Sequence, residues 1–101
     1  MVLALFAFRV RPEAQAEFHE AVTRMTELVQ GMPGFISTDL FTSEDGRSLA
    51  VARFESEDAL RAWRDHPEHV AAQQMGKDAV FEDYWLDVCS TIRSYEFHRP
   101  R

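Results

Sequence analysis

A chain of 101 residues is long enough for one domain and too short for two, and 46% apolar residues with 4 Gly and 4 Pro describe a packed core, not a disordered or collagen-like chain. The net charge of −6, from 17 acidic and 11 basic residues spread without a basic stripe, excludes a phosphate-backbone footprint, so nucleic acid is not an expected partner. The single cysteine, Cys89, cannot close an internal disulfide; it reads as a small buried hydrophobe on a strand, which fits a reducing cytoplasm.

The opening "MVLALFAFRV" has no basic segment before its apolar run and no cleavage site after it, and it is too short to span a bilayer. No membrane partner is therefore expected. It reads as a strand with apolar residues on both faces: Val2, Ala4, Phe6, Phe8 and Val10 on one, Leu3, Leu5 and Ala7 on the other. After Pro12, residues Phe18, Ala21, Val22, Met25, Leu28, Val29 and Met32 recur at helical spacing until "GMPG" stops the helix. "FISTDLFT" and "SLAVARF" flank Asp45-Gly46 and predict a hairpin. Ser56 is a suitable N-cap for "EDALRAWRD", with Glu57 and Asp58 in the first turn.

His66 stands before Pro67, so the second helix should stop near Asp65 and a third should open at Pro67 and run through "PEHVAAQQMGKDAVFEDY", with Gly76 as its weak point. "WLDVCSTIRSYEF" then predicts a last strand reaching Phe97. Residues 1–98 form one α+β domain in this reading, and 99–101 a mobile tail. Strand, helix, strand, strand, helix, helix, strand is the split βαβ, ferredoxin-like order with one added helix. Helices cover only one face of such an antiparallel sheet. The two-faced first strand thus predicts a homodimer, a second copy covering the open face.

"ALRAWRDHPEHVAAQQMGKDAVFEDYW", after an apolar first strand and before "VCSTIRSYEF", resembles the antibiotic biosynthesis monooxygenase (ABM) family of dimeric α+β barrels over nearly the whole chain. The resemblance implies two sheets packed face to face and a pocket in each subunit between sheet and helices. The family includes cofactor-free oxygenases acting on polycyclic phenols, haem-degrading oxygenases and small isomerases, so fold alone does not choose among them. In quinone-forming members a pocket tryptophan corresponds to Trp63, an asparagine one turn earlier falls near Ala59, and a tyrosine falls near His69. In haem-degrading members the iron-ligating histidine falls at Gln73, and a first-strand asparagine falls at or near Phe8.

Trp63 reads either as a core residue at helical spacing from Ala59 and Leu60 or as a platform for a planar ligand. His66 reads as a cap of the third helix or as a helper in proton transfer. His69 shares a helix side with Gln73, and an imidazole titrating near neutrality can take a phenolic proton. "HPEH" is a poor metal motif, because Glu68 would point about 100° or more away from either histidine on a helix. Arg93, Arg9 and Arg53 in apolar strands suggest salt bridges, with Asp39 and Glu55 as partners, or an anion clamp. No P-loop, G-x-G-x-x-G, G-x-S-x-G or paired-cysteine signature is present.

The resulting expectation is a cofactor-independent monooxygenase, without bound metal, that oxidises a planar phenolic substrate with O2. His69 and His66 would carry proton transfer, and Trp63, Phe6, Phe8, Gln73 and Arg93 would bind substrate. The alternatives are a non-catalytic module carrying an apolar metabolite or haem, and an isomerase using the same histidines.

Overall fold

The computed structural model describes residues 1–100. Its central strand, β1 (Val2–Val10), runs antiparallel to β3 (Ser48–Phe54) on one side and to β4 (Phe81–Ser90) on the other. β2 (Phe35–Thr42) pairs with the far side of β3, giving the order β2-β3-β1-β4. α1 (Gln15–Gln30) connects β1 to β2, and α2 (Glu57–Arg64) and α3 (Pro67–Met75) lead from β3 to β4. This is the ferredoxin-like α+β arrangement that the order of periodic segments predicts.

Strand alternation sorts the first strand as read from sequence. Val2 and Ala4 face the helices and join Val29, Phe54, Leu60 and Trp63 in the core, while Phe8 packs against Phe18 of α1. Leu3, Leu5 and Ala7 occupy the opposite face. In register with them lie Leu49, Val51 and Arg53 on β3 and Trp85, Asp87 and Cys89 on β4, and the next strand adds Asp39 and Phe41. Among the described residues no element covers that face: Ala7 and Val51 are buried on it, but Phe41, Trp85 and Cys89 are exposed and the expected burial of Cys89 is not found. Arg53 meets Asp39 at 3.3 Å, one of the expected pairs, whereas Arg9 reaches Asp45 in the hairpin.

Local chemistry explains the element ends. The Ser56 hydroxyl accepts the Ala59 N–H at 3.1 Å, capping α2, and Asp65 closes it. Gly34 takes φ +82°, and a Cβ there would stand 2.6 Å from the Ala59 side chain, so this glycine admits both the turn into β2 and the close approach of α2.

Two boundaries differ from expectation. α3 ends at Met75, followed by a wider turn over Gly76–Val80, and β4 begins at Phe81 instead of near Trp85. A Cβ on Gly76 would lie 2.7 Å from the Phe81 ring, so the missing side chain lets the strand fold back against the helix end. β4 also stops at Ser90 and does not reach Phe97. Its ladder with β1 closes at Val2 opposite Ser90, one further bond joins the Thr91 N–H to the Met1 carbonyl, and residues 92–97 find no strand to pair with among those described. Ile92 is accordingly 93% exposed, and Tyr95 and Phe97 are exposed as well. The tail expected at 99–101 includes Arg101, which lies outside the described residues.

Candidate functional site

A cavity of about 530 Å³ lies between the sheet and the helices. α1 supplies Val22, Met25, Thr26 and Val29; α2 supplies Leu60, Trp63 and Arg64; α3 and its terminal turn supply His69, Gln73 and Lys77. Small side chains at Ala4, Ala50 and Ala52 leave the space on the sheet side, and Phe6, Tyr84, Leu86 and Val88 border it. A smaller space of about 170 Å³ shares Phe6, Val22, Met25, His69, Gln73 and Phe81, which puts His69 on the wall of both. The larger volume falls within the range of small-molecule sites, and its lining is mostly apolar, as such sites are.

The helix break predicted at His66-Pro67 sets the geometry of the polar wall. His66 is extended (φ −60°, ψ 129°), and its Nδ1 accepts the Glu68 N–H at 3.2 Å. α3 thereby turns back along α2 and lays the His69 imidazole flat on the Trp63 indole, with centroids 4.3 Å apart and planes 15° from parallel. His69 Nδ1 lies 3.1 Å from the Trp63 carbonyl. A carbonyl oxygen only accepts, so Nδ1 carries the proton in the neutral ring and Nε2 keeps the lone pair. Gln73 lies 3.3 Å from the same Nδ1 and donates its amide N–H to the Arg64 carbonyl at 3.0 Å, tying α3 to the end of α2.

Burial holds the His69 pKa below the ordinary imidazole value; the hydrogen bond to the Trp63 carbonyl opposes this, and the charge of His66 adds to it. The shift favours the neutral ring, the form able to accept a proton. Glu68 turns away from both histidines to Arg24 of α1, with a two-pronged contact of 3.1 Å and 3.1 Å. That contact holds its carboxyl below the usual range. "HPEH" thus divides into a cap, an inter-helix tie and one cavity residue. Among the described residues no group of three His, Cys, Asp or Glu side chains gathers as a metal site.

Trp63, Phe6, His69 and Gln73 are brought together on the cavity wall. Trp63 is 9% exposed within the core, as its helical spacing from Ala59 and Leu60 suggests, and it also borders the cavity and carries the imidazole. His66 serves as the cap and does not line the cavity. Phe8 is 3% exposed, enclosed by Phe6, Phe18 and Phe81 behind the wall. Arg93 lies beyond β4 and does not line the cavity, because the strand that was to carry it ends at Ser90. Ala59 packs against the core beside Gly34 and does not line the space. Phe81, Tyr84 and Lys77 are lining residues that the sequence reading missed. The alternation of Tyr84, Leu86 and Val88 with Trp85, Asp87 and Cys89 is the period-two signal that points to Tyr84, whereas Phe81 breaks that period and reaches the same side through the register shift of the β1–β4 ladder at Arg9/Val10.

The model of the antibiotic biosynthesis monooxygenase family matches residues 1–75, the greater part of the chain. The chain belongs to the ABM family. Among ABM relatives, the uncharacterised protein YqjZ of Bacillus subtilis is 33% identical over 88 residues, covering 87% of this chain and 77% of that protein. The tetracenomycin-F1 monooxygenase of Streptomyces glaucescens is 37% identical over 62 residues, covering 59% of this chain and 55% of that protein. The ABM-like structure of SnoaB, a cofactor-independent oxygenase from Streptomyces nogalater, superposes with a TM-score of 0.76 at 19% identity, covering 92% of this chain and 94% of that one. That last likeness shows the fold. Among the described residues no helix is long and apolar enough to cross a membrane.

Proposed function

We propose that this ABM domain is a small cofactor-independent monooxygenase whose cavity binds a planar phenolic molecule and oxidises it with O2. The observation that carries the reading is His69: a neutral imidazole with its proton on Nδ1, stacked on Trp63 in the wall of an apolar cavity. Nε2 takes the phenolic proton, and the carbanion character thus created in the ring supplies electrons to O2. A ring CH2, in the keto form of the substrate, becomes a carbonyl; one oxygen atom is retained and the other leaves as water. The ring itself provides every electron. Trp63 borders the ligand space and backs the imidazole, and Gln73 holds α3 in place beneath His69. The names of the tetracenomycin-F1 and SnoaB relatives support this class of reaction.

The open sheet face, with exposed Phe41 and Trp85 beside half-buried Leu3 and Leu5, supports pairing with a second copy of the chain. Oxygen uptake by purified, metal-chelated protein given dihydroxylated polycyclic aromatics tests the reaction. Uptake should require both substrate and His69. Equal rates for wild type and His69→Ala remove the assigned base.

A further inference from the structure

We propose that the cavity selects a ligand bearing a negative oxygen, a planar aromatic acid, and that Lys77 meets this charge at the cavity edge. This rests on the reading of the cavity as a planar-ring site. The chain carries 17 acidic residues, yet not one Asp or Glu lines the cavity, whereas Arg64 and Lys77 both do. Arg64 is already engaged, its Nε 3.0 Å and its Nη2 3.4 Å from the two Asp65 oxygens. Lys77 is the only lysine in the sequence, and among the described residues it takes part in no ion pair. Its neighbour Asp78 instead accepts a hydrogen bond from Gln74 at 2.9 Å.

Position adds a direction to the charge. His69, Gln73 and Lys77 follow one another at intervals of four on the same wall, so imidazole, amide and ammonium form a column. His69 and Lys77 are about two turns apart, roughly 12 Å along a helical axis. Lys77 is exposed and also borders the apolar space, as a long alkyl stem with a charged end allows. A polycyclic ligand of three or four rings spans that interval, its acid group at Lys77 and its reacting hydroxyl at His69.

Calorimetric titration with anthraquinone-2-carboxylate and with its carboxamide tests the assignment. Wild type should bind the acid roughly five- to tenfold more tightly, the range of a partly exposed charge-assisted contact. Lys77→Met should equalise the two affinities and Lys77→Arg should restore the preference. Equal affinities in wild type, or a preference that survives Lys77→Met, overturn the proposal, as does a preference erased by Arg64→Met and not by Lys77→Met. Equal binding of both probes removes only the charge assignment, whereas binding of neither removes the planar-ring reading with it.

Discussion

Replacing His69 with phenylalanine separates the imidazole's chemistry from its packing. A phenyl ring fits the same slot over Trp63, where the rings lie 4.3 Å apart and 15° from parallel, so most of the stacking is kept. What is lost is the Nδ1–H bond to the Trp63 carbonyl, 3.1 Å long and worth about 1 kcal/mol in net stability. For a domain of this size that corresponds to a fall in Tm of roughly 4–8 °C. A positioned general base contributes about 10²–10⁴ in rate, so oxygen uptake at saturating phenol should drop by that factor while ligand binding persists. In wild type the rate should rise with pH to a plateau, with a midpoint below the ordinary imidazole pKa, because burial disfavours the charged ring. The same depression acts on stability. The unfolded chain binds the proton at a higher pH than the folded one, so this contribution is complete above the unfolded pKa and is lost as pH falls through the folded value. A His69→Phe protein that folds, binds and turns over at the wild-type rate refutes the base assignment.

Gly76→Ala should destabilise by about 1–3 kcal/mol in urea unfolding and shift ligand affinity, because the added Cβ meets the Phe81 ring at 2.7 Å. Phe41→Asp, at a residue 58% exposed on the uncovered sheet face, should give a monomer in sedimentation equilibrium where wild type is expected to be a dimer; a wild-type monomer at micromolar concentration contradicts the pairing. Ser56→Ala removes the acceptor of the Ala59 N–H and should cost about 1 kcal/mol by thermal unfolding, with Ser56→Asp recovering most of it.

Segments whose pattern is enforced locally were legible in the sequence. The alternation of β1, the apolar stripe of α1, the Asp45-Gly46 hairpin and the Ser56 and His66-Pro67 helix boundaries all depend on residues within a few positions of one another. The end of α3 was not legible in the same way. "GKDAVFEDY" suits a helix by propensity, and pairing of Phe81–Ser90 with β1, far away in sequence, overrides it. Arg93 was misplaced for the related reason that a strand ends where its partner does, not where its own apolar pattern fades. The site divides along this line as well. Trp63, His69 and Gln73 follow from helix geometry, whereas the lining from β4 and the charge asymmetry of the cavity depend on the tertiary arrangement.

The segregation of carboxylates outside the cavity has a kinetic consequence. With a net charge of −6, the molecule repels an anion at a distance, and in the proposed site Lys77 attracts it within the last few ångströms. Salt screens the two effects unequally, because the Debye length shrinks from about 30 Å at 0.01 M to about 8 Å at physiological ionic strength. Adding salt should therefore quicken the arrival of an anionic ligand while shortening its stay, the reverse of the slowed encounter expected when charge steers a ligand inward.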